Sequence, residues 1–331
     1  MGAQESDLFM EYKNLGATGL RVSVAGLGCG GNSRLGLGTG SSEAEAVNLV
    51  RAALDLGVNF LDTAEAYGTE GVVGKAADAA GRDKVVISTK TRIKFDERVL
   101  GGADVVENLE ASLDRLGTEY VDVFHLHAIS PGLYDHVLDR IVPALLAEKE
   151  KGKIRHIGIT ETSPFDPEQK MLARALSEPS CWEVVMFAFH MMNQGARRKV
   201  FPGTMERRIG TLLMFVVRNI FSNPTVLLET VEALVKDGTL VLDATRHGGP
   251  LDFLIHESGA ESVIDAAYRY ARHEPGADVV LFGTGKTEHL ASNINSILRP
   301  PLPEVDRREL ATLFSHLTGV GLDLPDRMRK P

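Results

Sequence analysis

Eight short apolar, β-prone runs alternate with stretches of helical periodicity between residues 24 and 298, and this alternation constrains the fold more than any single motif. The runs lie at 24–29, 58–62, 84–90, 121–127, 154–160, 183–190, 211–217 and 278–282. Helices are expected at 42–57, 72–80, 103–116, 136–151, 167–176, 224–236, 262–272 and 288–298. Alternation of this kind without a break in composition predicts one α/β domain, a (β/α)8 TIM barrel spanning residues 1–331. A hairpin at 12–24, turning on Gly16-Ala17-Thr18-Gly19, precedes the barrel. The long stretch 219–260 before the last β/α unit exceeds an ordinary loop and is expected to act as a lid. Residues 300–331 form a C-terminal helix, 306–317, and a tail, packed outside the barrel or over one end.

Three strands deliver ionisable side chains to their C-terminal ends, the end of a barrel where active sites lie. Asp62 ends one, Lys90 another and His127 a third, and a short loop after Asp62 presents Tyr67. Alternation along 121–127 puts Val123, His125 and His127 on one face, with His127 nearer the rim. A lysine paired with Asp62 beside Tyr67 favours the phenolate, so Tyr67 can give a proton to a carbonyl oxygen or take one from an alcohol. His127 would hydrogen-bond the same oxygen. None of the four donates hydride, so the chemistry calls for a nicotinamide, NAD or NADP.

With 331 residues, 44% hydrophobic, there is ample length for a large core. The formal net charge of -9 without a basic block argues against nucleic acid or an anionic membrane as partner. Cys29 and Cys181 are the only cysteines, which fits a reducing compartment. No run is long enough to span a membrane. Met1-Gly2-Ala3-Gln4-Glu5-Ser6 matches a myristoylation pattern, but the residues that follow are acidic and supply no second membrane signal. The expectation is a cytoplasmic enzyme acting on a small carbonyl or alcohol; nothing in the sequence indicates an oligomeric state.

The motifs resemble the aldo/keto reductase superfamily over nearly the whole chain. They are Leu15-Gly16-Ala17-Thr18-Gly19-Leu20-Arg21-Val22-Ser23, Asp62-Thr63-Ala64-Glu65-Ala66-Tyr67-Gly68, Ser88-Thr89-Lys90, Ser112-Leu113-Asp114-Arg115-Leu116-Gly117 and Gly152-Lys153-Ile154-Arg155-His156-Ile157-Gly158. Phe282-Gly283-Thr284 with Glu288, Leu290 and Asn293 completes the set. The resemblance implies a (β/α)8 barrel, NAD(P)H extended across its C-terminal face, and Asp62, Tyr67, Lys90 and His127 as a catalytic tetrad. Val123-Phe124-His125-Leu126-His127 and Gly158-Ile159-Thr160 also look like the branch that holds sugar dehydrogenases.

Cofactor positions follow from the same resemblance. They are Gly28, Cys29 and Gly30 in the first loop, Thr160, Glu161 and Met186, then Phe215, Val216, Val217 and Arg218. Gly283, Thr284, Lys286, His289, Ser292 and Asn293 follow near the end. Several depart from the family's pattern. Thr160-Glu161 stands where Ser-Asn usually holds the carboxamide, and Met186 replaces a glutamine. The nicotinamide-stacking tyrosine falls at Phe215 or Val216, and Ser-Pro-Leu becomes Val217-Arg218-Asn219. The arginine for the 2′-phosphate of NADP falls at His289 and an adenine-binding glutamate at Ser292. With Lys286 left as the cation, weak discrimination between NADP and NAD is expected.

Three other readings compete. Gly26-Leu27-Gly28-Cys29-Gly30-Gly31 fits G-x-G-x-x-G, but a Rossmann helix should begin at once and here a long loop runs to Ser42. His125-Leu126-His127, with His190, could serve a metal-dependent hydrolase. A barrel that binds nucleotide without turnover is the third.

Overall fold

The structure is a computed structural model that describes residues 9–178, 181–241 and 248–322. Eight parallel strands close into a barrel: β1 (Ala25–Gly28), β2 (Phe60–Asp62), β3 (Val86–Arg92), β4 (Val121–Ile129), β5 (Ile154–Glu161), β6 (Val184–Ala188), β7 (Gly210–Met214) and β8 (Val279–Phe282). They pair in chain order. Closure comes from β8 against β1, with Val280, Leu281 and Phe282 opposite Ala25, Gly26 and Leu27. The major outer helices are α1 (Glu43–Asp55), α2 (Glu70–Ala80), α3 (Gly102–Leu116), α4 (Val142–Glu150), α5 (Lys170–Ser177), α6 (Phe201–Arg207), α7 (Pro224–Lys236), α8 (Val263–Arg272), α9 (Glu288–Leu298) and α10 (Glu304–Phe314).

The two faces of each strand supply separate cores, as a period of two requires. Leu61, Ile87 and Phe124 point outward and pack under helix residues such as Leu49, Val73 and Leu109. Their neighbours Phe60, Val86 and Val123 point inward with Val184, Leu212 and Val279. Inside, space is tight enough to require glycine. A Cβ on Gly158 would lie 2.2 Å from Nδ1 of His125, so the glycine is what lets that imidazole fit in the barrel.

The hairpin (Tyr12–Asn14 with Arg21–Ser23) closes the N-terminal mouth. Its Leu15, Leu20 and Val22 join the inner core from below. Lys13 Nζ donates to the Ala277 carbonyl at 2.6 Å, and the Ala17 amide to the Arg208 carbonyl at 2.7 Å, just before β8 and β7 begin. The C-terminal mouth is thereby left as the open end.

Most expected elements are present, with α7 and α9 at their expected bounds. The 136–151 stretch is not one α-helix: a π-helical turn, Val137–Ile141, precedes α4. Pro143 explains it, since its ring cannot sit over the carbonyl of a regular preceding turn. Between β6 and β7 the chain forms Ala196–Lys199 and α6, where sequence reading placed no element. Pro202 there starts a helix rather than breaking one. The described part of the 219–260 stretch holds a short helix, Asn219–Ser222, and then α7. Arg246 and His247 of its glycine-rich part lie outside the described residues. Helix α10 packs outside the barrel, where the Leu310 carbonyl accepts from Gln194 Nε2 at 3.0 Å. No described helix is long and apolar enough to cross a membrane.

Candidate active site

At the open mouth Asp62, Lys90 and His127 come together from the ends of β2, β3 and β4. Lys90 Nζ donates to both Asp62 oxygens, at 2.8 and 2.7 Å, and to the Thr63 carbonyl at 2.7 Å. Ser88 Oγ adds a bond to Asp62 Oδ1 at 2.9 Å. Both charges are buried, Lys90 completely. Burial works against the Lys90 ammonium, yet the Asp62 carboxylate and Tyr67 outweigh it and hold the amine above its ordinary value. Burial likewise pushes the Asp62 carboxyl up, with Lys90 and Ser88 opposing. Contact to both oxygens is the geometry of an ion pair.

Tyr67 ends a single 3-10 turn, Glu65–Tyr67, and Gly68 with φ 69° turns the chain away. The loop is fastened to β3. Glu65 accepts from Thr91 Oγ1 and from the Arg92 amide, both at 2.8 Å, and Glu70 accepts from Thr89 Oγ1 at 2.6 Å. Gly30 lies against the ring so closely that a Cβ there would be 2.6 Å from it. The Tyr67 ring centroid is 5.0 Å from Lys90 Nζ and 5.8 Å, edge-on, from the His127 ring. Burial, then Lys90 and Arg92, push the His127 imidazole down to about 3, so it is neutral across the physiological range.

Two cavities meet at Tyr67. A groove of about 590 Å³ runs over β1, β7 and β8 and is lined by Gly28, Gly30, Met186, Phe215, Val216, Val217, Arg218, Gly283, His289 and Asn293. A second cavity, of about 310 Å³, is lined by Tyr67, Arg92, His127, Thr160, Glu161 and Met186, and shares Phe215 and Arg218 with the groove. Phe215 holds φ at 63°, a costly value for a bulky side chain, and Arg218 lies 4.3 Å over its ring. Val216 is buried and aliphatic, so of the two only Phe215 presents a ring to the groove.

Glu161 is buried beneath the second cavity. Its Oε1 accepts from Ser163 Oγ at 2.8 Å and from the Ala188 amide at 2.7 Å, while Oε2 has no partner. Burial pushes this carboxyl up to about 7, against those bonds and the nearby Gln169 side chain. Thr160 Oγ1 accepts from the Ala128 amide at 2.7 Å.

Four expected cofactor positions line neither cavity. Cys29 turns into the outer core, where its thiol is pushed far up by burial, and its amide is donated to the Asp62 carbonyl at 2.8 Å. Thr284 Oγ1 is spent on the backbone of Lys286. Lys286 is exposed and 3.6 Å from Glu288. Ser292 is exposed on α9. Sequence reading gives no role to Glu65 or Arg92, although alternation from Lys90 places Arg92 on the same face.

Two of the competing arrangements, the Rossmann and the metal-hydrolase ones, do not fit these positions. The Gly26–Gly31 stretch leads into a 3-10 segment, Arg34–Thr39, before α1, and the sheet is closed rather than doubly wound. His125 lies beside Lys90 in the register and is held well below its ordinary value by burial and that ammonium. His190 packs edge-on against Phe221 at 5.2 Å. Among the described residues no three His, Cys, Asp or Glu side chains converge as a metal site.

Comparison with known proteins gives the same architecture. The model of the "Aldo/keto reductase family" matches residues 26–313. Aldo-keto reductase YhdN of Bacillus subtilis is 28% identical over 93% of this chain and 94% of its own. L-galactose dehydrogenase of Arabidopsis thaliana is 33% identical over 61% of this chain and 64% of its own. Among solved structures, the holo form of aldo-keto reductase AKR11C1 from Bacillus halodurans superposes with a TM-score of 0.69 at 21% identity, covering 95% of this chain and all of that one. The match over most of the chain places the protein in the aldo/keto reductase family, oxidoreductases that act on small carbonyl compounds with a nicotinamide cofactor.

Proposed function

We propose that the protein reduces a carbonyl compound, or in reverse oxidises an alcohol, with Tyr67 exchanging the proton. The observation that carries this is the position of Tyr67, at the junction of two cavities and flanked by a buried ammonium and a neutral imidazole. The groove residues fit a nicotinamide dinucleotide. Gly28, Gly30 and Gly283 allow close backbone approach, Met186, Phe215, Val216 and Val217 offer apolar walls, and Arg218 offers a cation for the phosphates. Glu161 Oε2, buried and unpartnered, would accept from the carboxamide where an amide side chain usually stands. Bound there, the reduced nicotinamide supplies hydride to the carbonyl carbon.

The chain's own residues handle the oxygen. Tyr67 donates its phenolic proton to the carbonyl oxygen, and the Lys90 ammonium stabilises the phenolate left behind. Asp62 fixes Lys90 in place. His127, being neutral, offers one N–H to the substrate oxygen and orients it in the second cavity.

Cofactor selection is part of the proposal. Lys286 is the one expected ligand of the 2′-phosphate with a fixed positive charge; it is exposed and close to Glu288, and His289 is exposed too. We therefore place the enzyme as dual-specific or NAD-tolerant, with Thr284 ordering the turn that carries Lys286. The likeness to a protein named L-galactose dehydrogenase puts polyhydroxy carbonyls among the substrates to try. Two cysteines without a disulfide suit a cytoplasmic location. The test is a panel of aldehydes, ketones and sugars with NADPH and NADH, followed by cofactor absorbance. Carbonyl-dependent oxidation of either cofactor is expected; none with any carbonyl would contradict the reading.

A further inference from the structure

The cavity beside Tyr67 contains a cation that the chemistry above does not use. Arg92 ends β3, on the same face as Lys90 by alternation, and its register partner on β4 is His127. It lines the cavity with Tyr67 and His127. Its Nε is buried without a hydrogen-bond partner, and no described carboxylate forms an ion pair with it. Glu65, in the adjoining loop, accepts from the Arg92 amide and from Thr91 Oγ1 rather than from the guanidinium. The guanidinium rests 4.9 Å over the Phe95 ring, which holds it in place without neutralising it. A half-buried, unpaired cation is costly, and a site that retains one has a use for it.

The sign of the cavity points the same way. Lys90 is neutralised by Asp62, and His127 is neutral. Glu161 is the one carboxyl of the lining. We propose that Arg92 receives an anionic group, carboxylate or phosphate, on the substrate, so that the enzyme's carbonyl substrate is an oxo acid or a phosphorylated aldehyde or ketone. The planar fork of arginine suits either oxyanion. This rests on the hydride-transfer reading. The carbonyl carbon gains the hydride lost by the reduced nicotinamide, its oxygen gains the Tyr67 proton, and the anionic group is unchanged in the alcohol product.

The experiment compares kcat/KM for 4-oxobutanoate, glyceraldehyde 3-phosphate and butanal with the cofactor-loaded wild type, Arg92→Gln and Arg92→Lys. At least one anionic substrate should exceed butanal by about tenfold or more, and that ratio should fall about thirtyfold in Arg92→Gln, mainly through KM. Arg92→Lys should restore part of the ratio, which a structural role would not do. Which anionic substrate responds separates carboxylate from phosphate. Succinate or inorganic phosphate, matching the preferred anion, should raise the thermal midpoint of cofactor-loaded wild type and not of Arg92→Gln. Butanal used as well as both anionic substrates, or an unchanged ratio in Arg92→Gln, would overturn the proposal while leaving hydride transfer standing. No turnover of any of the three, together with none across the wider carbonyl panel, would remove the reading on which it rests and the proposal with it.

Discussion

Removing the Lys90 ammonium would leave the Asp62 carboxylate buried with only the Ser88 hydroxyl against it. Breaking a buried pair from one side costs about 3–5 kcal/mol, so Lys90→Met should lose thermal stability as well as turnover. Asp62→Asn with Lys90→Met should recover much of the stability and none of the activity; thermal melts of the single and double variants check this. Glu161 gives a second residue-scale expectation. Its folded carboxyl holds a proton up to about pH 7, above its ordinary value of 4.5, so the folded state binds that proton more tightly than the unfolded chain does. The related stability is fully present below about pH 4.5 and is lost as pH rises through about 7, amounting to about 3 kcal/mol at most. Denaturant melts from pH 5 to 8 should show that slope in the wild type and a flatter one in Glu161→Gln. If the deprotonated carboxylate accepts from the carboxamide, NAD should bind several-fold more tightly at pH 8 than at pH 6, and Glu161→Gln should flatten that dependence. NAD is the probe because the 2′-phosphate of NADP itself titrates near pH 6.

Among the elements, α7 is weakly held. Only Leu227 and Val231 of α7 are buried, whereas α8 buries most of its length. Segments with few buried contacts open at low cost, and loops that close over ligands are drawn from them. Arg218 and Ser222, at the start of this stretch, line the groove. We therefore expect 219–260 to close over the cofactor as a lid. Limited proteolysis within it should slow when NAD or NADP is added at saturation, and equal cleavage rates with and without cofactor would count against a lid. At the opposite mouth the hairpin buries Leu15, Leu20 and Val22 and has no group near the chemistry.

For the molecule as a whole, the barrel was legible because every strand carries its own apolar signal and is buried on both faces. The ends of β2, β3 and β4 were legible because a polar residue closing an apolar run stands out against it, and the structure brings Asp62, Lys90 and His127 together. What escaped was set by neighbours distant in sequence. The π-helical turn before α4 depends on how one proline is accommodated, and α6 begins at a proline that reads as a breaker. Cys29 lies between glycines that reach the groove, yet it faces the core, since direction alternates along the strand and continues into the loop. Arg92 was hidden in the opposite way. It sits among polar residues at a strand end, and only the folded chain shows that it lines the cavity with its Nε unpartnered. Proton exchange by Tyr67 during hydride transfer is the step on which the whole barrel's proposed chemistry turns. It is tested most directly by measuring kcat and cofactor affinity together for Tyr67→Phe, on whichever carbonyl substrate the panel gives. The expected result is a kcat lower by about a thousandfold with cofactor Kd within about threefold of wild type. A Tyr67→Phe enzyme with wild-type kcat would contradict it.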